Sequence, residues 1–443
     1  MVLLSSLKVG IIGSGCIGIE HLNNAALIPN LDVVAIADNH PPSLRCAKRT
    51  VEKLKLTHQV TLCDDFQDLL KVKNLDAVII CTPNDTHHDV LKHVLETRKH
   101  VLVEKPLCTT AAHCVAVETA ASKLHIQGLS KPLLWCGMEY RYIPAVARLI
   151  REAHSGAIGE LRMLSIREHR FPFLRKIGNW NRFNDRTGGT LVEKCVHFFD
   201  LIRFIMRAEP TRIFASGGQS MNHLDETDSG RTPDILDNAY VIVDLDTGGR
   251  AMLELCMFAE ASKHQEELSL VGTHGKLEAF APSHGARTDD ESVVNFRRTL
   301  RDPSNAQGVY DRVDPPPPEE CGTLFESHEQ IDSRLMDAGN HAGATYYELE
   351  RFTTAALEGL PPDVSLRDGS MAVMMGIAAQ RSIELGVPVS WSEMLHEYKL
   401  HSDESLSESV KTSDSVKTSF AFQRKYKKSK EEGLASKDEG LAY

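Results

Sequence analysis

The sequence predicts an α/β protein: a doubly wound parallel sheet at the N-terminus, followed by an α+β domain with a large, mostly antiparallel open sheet. Three observations predict it. Between residue 8 and about residue 138, short β-rich runs alternate with helical stretches, the pattern of βαβ units. The run Ala77-Val78-Ile79-Ile80 is apolar throughout, as in a strand covered on both faces. Beyond about residue 207 strand signals follow one another, and Asp246-Thr247-Gly248-Gly249 supplies the turn of a hairpin.

In the first domain, residues 1–138, strands are expected at 8–12, 33–37, 77–80, 100–103 and 133–136. The second domain, residues 139–397, opens with a helix over 143–153 and a strand over 161–168. A loop rich in Arg, Phe and Asn leads to a single helix over 190–207, then to strands at 239–245, 250–257 and 267–271. Residues 282–336 carry the run Pro315 to Pro318, many charges and few strand signals, and read as an irregular insertion. Residues 398–443 are rich in Ser, Lys and Glu and repeat the string SVKTS. They read as a disordered tail that buries too little apolar surface to offset its ordering entropy. Its basic cluster, Arg424 to Lys430, lies among acidic residues and reads as a solvated stretch.

The first expected strand ends in Gly13-Ser14-Gly15-Cys16-Ile17-Gly18, and a helical pattern starts near Ile19. G-x-G-x-x-G alone is a weak signal; between a strand and a helix it is the dinucleotide-binding arrangement of a Rossmann domain. The first glycine turns the chain, the second lets backbone approach a pyrophosphate, and the third packs helix on strand. The helix N-terminus, at Cys16 and Ile17, then offers N–H groups to the phosphates. Asp38 ends the second strand about 20 residues on, where a carboxylate accepts from ribose hydroxyls. It would repel a 2′-phosphate, so NAD is expected, with NADP as the alternative because Arg45 lies nearby. Cys81-Thr82-Pro83-Asn84 ends another strand, with His87 close behind. Thr82, Asn84 and His87 are candidates to line the cofactor, although Thr-Pro-Asn-Asp is also a good turn and cap sequence.

Two constellations carry candidate chemistry. Glu104-Lys105-Pro106 follows a buried strand on the ligand edge of the sheet, and Pro106 disfavours helical backbone at Lys105. A lysine beside an oxidised nicotinamide has its ammonium form disfavoured and suits proton transfer with substrate. The second is Gly188-Gly189-Thr190-Leu191-Val192-Glu193-Lys194-Cys195-Val196-His197, continuing to Asp200. On one continuous helix Glu193 and His197 share a face, and a carboxylate beside a histidine supports proton transfer. Thr190 and Glu193 also have capping-box spacing, which gives Glu193 a purely structural alternative. Arg167, His169, Arg170, Trp180, Asn181 and Arg182 precede this segment. Arg170, Trp180 and Arg182, with His197, are the substrate candidates, because guanidinium groups bind hydroxyls or carboxylates and a Trp stacks on a sugar ring. His341 and Tyr346 open a later helix that can approach the same cleft. No metal site is expected, since no second ligand group has convincing spacing.

Together, Gly13 to Gly18, Glu104-Lys105-Pro106 and the Gly-Gly…His197-x-x-Asp200 segment resemble the Gfo/Idh/MocA oxidoreductase family, which includes inositol dehydrogenases and glucose–fructose oxidoreductase. The resemblance covers residues 8 to about 391. Glu139-Tyr140-Arg141-Tyr142, the stretch Arg167 to Phe173 and Glu193-Lys194-Cys195-Val196-His197 further resemble a subgroup of it. The resemblance implies hydride transfer between nicotinamide and a carbinol carbon of a cyclic polyol, sugar or sugar derivative. It implies proton-transfer and substrate-orienting roles for Lys105 and His197. It also implies a homodimer or homotetramer built on the open sheet face. The family usually has Asp four residues before the histidine; this chain has Glu193. Two rival activities accompany the resemblance: an NAD-dependent glycosidase working through transient oxidation, and a non-catalytic NAD sensor.

A net charge of −11 argues against a nucleic-acid partner, which a basic face would serve. The ten cysteines have no C-x-x-C spacing and no accompanying secretory signal, so they read as reduced cytosolic thiols. No apolar run approaches the roughly 20 residues that span a bilayer. A cytoplasmic enzyme with a small-molecule substrate and no membrane or nucleic-acid partner is the expectation.

Overall fold

The computed structural model describes residues 6–56, 60–124, 131–282, 293–301, 322–339 and 341–408. Six strands form the first sheet: β1 (Leu7–Ile12), β2 (Leu31–Ala37), β3 (Thr61–Cys63), β4 (Ala77–Ile80), β5 (His100–Glu104) and β6 (Leu134–Gly137). All pairs are parallel, in the order β3-β2-β1-β4-β5-β6. The order reverses between β1 and β4, where the carboxyl ends of the strands leave a crevice for a ligand. The interior of β1, β4 and β5 is apolar because helices cover both faces, and Val9, Ile11, Val78, Ile79, Val101 and Leu102 are fully buried. The short β3 lacks such a run and is not among the expected strands.

The second sheet has nine strands: β7 (Leu161–His169), β8 (Pro210–Gly218), β9 (Asn238–Leu245), β10 (Arg250–Cys256), β11 (His264–Gly272), β12 (Gly275–Pro282), β13 (Val293–Arg301), β14 (Gly322–Gln330) and β15 (Val389–Ser390). Their order is β14-β13-β12-β11-β7-β10-β9-β8-β15, and only the β7–β10 pair is parallel. The helices Pro144–His154, Val196–Met206 and Leu366–Leu385 pack on one face. The opposite face exposes Met163, Phe214, Tyr240 and Ile242. The hairpin turn at 246–249 joins β9 and β10 as expected. Among the described residues no helix is long and apolar enough to cross a membrane.

Three expectations need correction. The stretch 282–336 is not simply irregular: β13 and β14 lie in it as the outer strands of the large sheet, and the helix Ser333–Ala338 follows. Its Pro315 to Pro318 run lies outside the described residues, as do the SVKTS repeat and the basic cluster 424–430. Regular structure also continues past residue 398, because the helix Trp391–Glu408 runs through that boundary. Finally, the helix expected over 190–207 is two helices, Thr190–Glu193 and Val196–Met206, separated at Lys194 and Cys195.

Asp200 lies three residues beyond His197 on the unbroken helix Val196–Met206. Instead of serving His197, its two carboxylate oxygens accept from Arg141 Nε and Nη2, each at 2.6 Å, and both side chains are buried. Arg141 also lies over the Phe204 ring and donates to the Asp363 carbonyl at 2.7 Å. The pair fastens the turn after β6 to the helix Val196–Met206, and so ties the first sheet to the second. Removing one charge of a buried pair strands the other in low dielectric. Asp200→Asn is therefore expected to destabilise the fold by about 3–5 kcal/mol. Denaturant unfolding followed by fluorescence checks this; an unshifted midpoint contradicts it.

Candidate functional site

The turn after β1 has the geometry a pyrophosphate needs. Gly13 adopts φ +92°, and a Cβ there would meet the Cys81 carbonyl carbon and oxygen at 2.7 Å. A Cβ on Gly18 would stand 2.0 Å from the Gly13 oxygen. Gly15 differs: an added Cβ meets nothing within 4 Å, so the space in front of it is open. Gly15 is the N-cap of the helix Cys16–Ala25 and makes no side-chain cap bond, so the first N–H groups, at Cys16, Ile17 and Gly18, face that space without a capping side chain. Cys16 is exposed and Ile17 half-buried. Asp38 stands beside this turn. It accepts from Ser14 N–H at 2.7 Å, Ser14 Oγ–H at 2.9 Å and His40 N–H at 2.8 Å. Its carboxylate thus fixes the glycine turn, and a carboxylate with about four acceptor positions retains room for a ribose hydroxyl.

The neighbouring turns divide the other cofactor candidates. Thr82 is half-buried and its hydroxyl accepts from Thr86 Oγ1 at 2.8 Å. Asn84 is buried, and its amide donates to Glu193 Oε2. His87 is a correction: its ring is fully buried, with Nδ1 2.8 Å from the Pro106 carbonyl and Nε2 3.0 Å from the Thr82 carbonyl. It braces the turn after β4 against the turn after β5, and burial pulls its pKa below the ordinary histidine range. Glu104 faces inward. Burial would raise its pKa, but His21, whose Nε2 lies 2.6 Å from Glu104 Oε1, outweighs burial and holds the carboxyl below its usual value.

Lys105 leaves β5 through a cis peptide bond to Pro106 and donates from Nζ to the Glu193 backbone carbonyl at 3.0 Å. The helix break makes this contact available, because the Glu193 carbonyl stands in the short turn before Val196. The same break separates Glu193 from His197. Glu193 neither caps its helix nor pairs with His197: Gly189 is the N-cap, the Thr190 hydroxyl donates to the Leu236 carbonyl at 2.6 Å, and the Glu193 carboxylate takes Asn84. The carboxylate beside His197 is Glu139, with Oε1 3.4 Å from His197 Nε2.

His197 is buried, stacks on Tyr140 at 4.2 Å between ring centroids, and has no hydrogen-bond partner at Nδ1 among the described residues. Burial, then the cations Lys105, Lys194, His341 and Arg170, pull its pKa well below the ordinary range, so the imidazole is neutral. Burial and then Glu104 push Glu139 up. Beneath them, Lys194 Nζ donates to Tyr140 Oη at 2.6 Å and stands 2.9 Å from Glu168 Oε1; Tyr140 Oη–H donates to Glu266 Oε1 at 2.9 Å. Glu168 and Glu266 face each other directly across β7 and β11. Like charges so placed repel; Lys194, with Arg170 at 3.6 Å from Glu168, compensates them.

Sequence reasoning names Lys105, His197 and Arg170 and these come together, with Arg170 also lying 4.7 Å from the Phe171 ring centroid. It misses Glu20, His21, Lys194 and Glu266 as members of the site. The signal is present in Glu20-His21 among apolar residues of the first helix and in Lys194 beside the histidine motif. Other candidates fall away from the centre. Arg167 and His169 point to the far side of β7 and pair with Glu267 and Glu254. Arg182 is buried and donates to Glu226 at 2.9 Å, and Asn181 donates to the Leu174 carbonyl at 2.8 Å. Trp180 is half-buried, and no described ring contact or hydrogen bond joins it to Lys105 or His197. Tyr346 turns to Glu350 on its own helix, whereas His341 reaches the centre.

The contrast between two glycines gives a test. Gly15→Ala is expected to leave thermal unfolding nearly unchanged while weakening dinucleotide binding by about tenfold or more, because its methyl occupies the open approach to the helix N-terminus. Gly18→Ala is expected to lower both, because its methyl collides with the Gly13 carbonyl. Dinucleotide titration paired with thermal melting reads both; wild-type affinity in Gly15→Ala contradicts the assignment.

Two family models match the chain: the oxidoreductase family, NAD-binding Rossmann fold, over residues 7–129, and the oxidoreductase family, C-terminal alpha/beta domain, over residues 152–391. A myo-inositol 2-dehydrogenase of Thermotoga maritima is 26% identical over 391 residues, covering 88% of this chain and 100% of its own. An inositol 2-dehydrogenase of Acidothermus cellulolyticus is 28% identical over 273 residues, 61% of this chain and 72% of its own. The fold is shared with a levoglucosan dehydrogenase solved in complex with NADH, at a TM-score of 0.67 and 18% identity, covering 87% of this chain and 99% of that one. The chain belongs to the Gfo/Idh/MocA oxidoreductase family, with the NAD-binding Rossmann domain and C-terminal α/β domain of that family.

Proposed function

We propose that this chain is an NAD-linked dehydrogenase oxidising a ring hydroxyl of a cyclic polyol or sugar, with Lys105 and His197 moving the hydroxyl proton. The observation that carries the reading is the seam between the sheets. Lys105, at the carboxyl end of β5 and beside the glycine turn, meets the segment that bears His197 through the Glu193 carbonyl. The relatives named as inositol 2-dehydrogenases support a cyclic polyol as the substrate class.

A bound nicotinamide would supply the hydride acceptor for the carbinol carbon. Lys105 takes the hydroxyl proton as the carbon–hydrogen bond breaks, and a nearby nicotinium charge disfavours the ammonium form that would block it. His197 is neutral and offers Nδ1 to the hydroxyl, orienting it and relieving Lys105 of the proton. Burial excludes water, so these contacts act at low dielectric. Gly13, Gly15 and Gly18, with the N–H groups at Cys16 and Ile17, hold the pyrophosphate, Asp38 holds the adenine ribose, and Thr82, Asn84 and Glu104 line the nicotinamide side. Arg170 serves the substrate. Glu193 acts on the site through Asn84 and through its own carbonyl, not as a partner of His197.

The row Phe214–Ile242–Met252 across β8, β9 and β10, with Phe214 and Ile242 exposed and Met252 half-buried, flanked by exposed Met163 and Tyr240, supports assembly of a homodimer or homotetramer on the open sheet face. A cytoplasmic location accords with the free cysteines among the described residues.

Lys105→Ala is expected to lower turnover by about 10²–10⁴-fold while dinucleotide affinity stays within a few-fold. Absorbance at the nicotinamide band, with inositols and aldoses as substrates, reads turnover, and binding is titrated separately. A variant with wild-type turnover sinks the role of Lys105. Wild-type protein is expected to use NAD in preference to NADP; activity with NADP alone overturns the role given to Asp38.

A further inference from the structure

Alcohol oxidation releases one proton for each hydride transferred, and His197 is too deeply buried to hand that proton to water. Its side chain is 1% exposed. Two titratable side chains lead outward from it. Glu139, 9% exposed, places Oε1 3.4 Å from His197 Nε2, and the same oxygen lies 3.9 Å from His341 Nδ1. His341 is 20% exposed. Exposure thus rises at each step from the reacting centre. We propose that Glu139 and His341 form a proton relay that carries the proton of the oxidised hydroxyl from His197 to solvent; this rests on the dehydrogenase reading above.

The backbone supports a dedicated placement of His341. His341 and Ala342 both adopt left-handed conformations, φ +62° and +55°, ahead of Gly343 at φ +79° and the helix Ala344–Glu358. Non-glycine residues in that region carry backbone strain. This backbone places His341 Nδ1 3.9 Å from Glu139 Oε1 and 3.8 Å from Glu20 Oε1. Glu20 is itself positioned by the Thr345 hydroxyl, which donates to it at 2.8 Å. Glu139 faces both histidines with Oε1, and its second oxygen, Oε2, has no hydrogen-bond partner among the described residues.

The charges around the relay favour outward movement. His197 faces Lys105, Lys194, Arg170 and His341, which together with burial make it a poor holder of a proton. Burial and Glu104 raise the proton affinity of Glu139. His341 faces Lys194, Glu20 and Glu139; burial lowers its pKa, but the two carboxylates outweigh burial and raise it. Burial would also raise Glu20, but His341 holds that carboxyl down at about 2, so Glu20 stays a fixed negative charge at the outer end. In each turnover the carbinol carbon gives its hydride, with both electrons of the carbon–hydrogen bond, to NAD. The hydroxyl proton passes by way of Lys105 and His197 to Glu139, then to His341, then to water. In reduction the path runs inward. Glu139 and His341 touch no reacting atom in this scheme and are positioning residues that act through His197.

The test compares wild type with Glu139→Gln and His341→Asn, after each is matched to wild type in thermal melting and NAD titration. Oxidation of a panel of inositols and aldoses is followed at the nicotinamide band, with proton release followed by an indicator dye. Each variant is expected to lose about tenfold or more in kcat, with KM and NAD affinity within about twofold. Its solvent deuterium isotope effect on kcat is expected to exceed that of wild type, and added imidazole buffer to restore part of the rate. Wild type should not respond to the buffer. Variants that turn over like wild type overturn the relay. So does a loss that imidazole cannot restore and that leaves the isotope effect unchanged, since that is the mark of a structural role. If Glu139→Gln fails to fold, His341→Asn decides by the same readouts. If wild type reduces NAD with no member of the panel, the dehydrogenase reading fails and the relay with it, an outcome distinct from an active wild type with unimpaired variants.

Discussion

Desolvation of carboxylates at the seam between the two sheets constrains nearly everything around the site. Glu20, Glu104, Glu139, Glu168, Glu193, Glu266 and Glu348 are all buried there, and an isolated carboxylate in such a place costs several kcal/mol even after relaxation. Most of them therefore have a specific answer. His21 answers Glu104, His341 answers Glu20, Lys194 answers Glu168, and Asn84 answers Glu193. Glu348 accepts from Trp135 Nε1 at 3.1 Å and from Met138 N–H at 2.9 Å, and burial still pushes its pKa well up. The partners come from different elements on both sides of the seam, so satisfying the charges also docks the elements. Arg186 to Asp85 adds a further ion pair from the second domain to the turn after β4.

The parts of this arrangement that depend on neighbours along the chain are legible in the amino-acid sequence. The glycine turn is legible because β1, the turn and the helix Cys16–Ala25 are continuous, and each glycine answers a local steric demand. Lys105 is legible because a charged pair and a proline abruptly end an apolar strand. The histidine segment is half legible. Its residue types are right, but the expected geometry rests on an unbroken helix. Lys194 explains the break: on a continuous helix its ammonium would be placed by helical period alone, whereas here it turns inward to Glu168 and Tyr140. That demand comes from β7 and β11, far away along the chain, and no local pattern records it.

The outer strands are hidden for a different reason. β13 and β14 alternate charge with apolar residues, as in Arg297–Glu326 and Arg298 over Phe325. β14 is the edge strand and β13 lies between it and β12; edge strands carry charge to discourage further pairing, so the feature that protects β14 also masks it as loop. Arg167 and His169 fall away by alternation: Arg167 and Glu168 are adjacent, and in a strand adjacent side chains face opposite ways. Glu168 receives the site and Arg167 the open face. His87 misleads because its position after a ligand-edge strand is right, but its ring faces carbonyls on both sides.

Glu193 directs its contacts away from the histidine that follows it. Where the family usually places Asp, a side chain one methylene shorter four residues before the histidine, this chain sends a longer carboxylate across the seam to Asn84 and leaves only its carbonyl for Lys105. His197 is then without a carboxylate from its own segment, and its Nε2 turns to Glu139 on the turn after β6. Glu139, unlike Glu193, continues outward to His341. The substitution at one position and the route at another are therefore linked: a histidine paired within its own helix would have a closed partner, whereas one paired with Glu139 has a path to the surface.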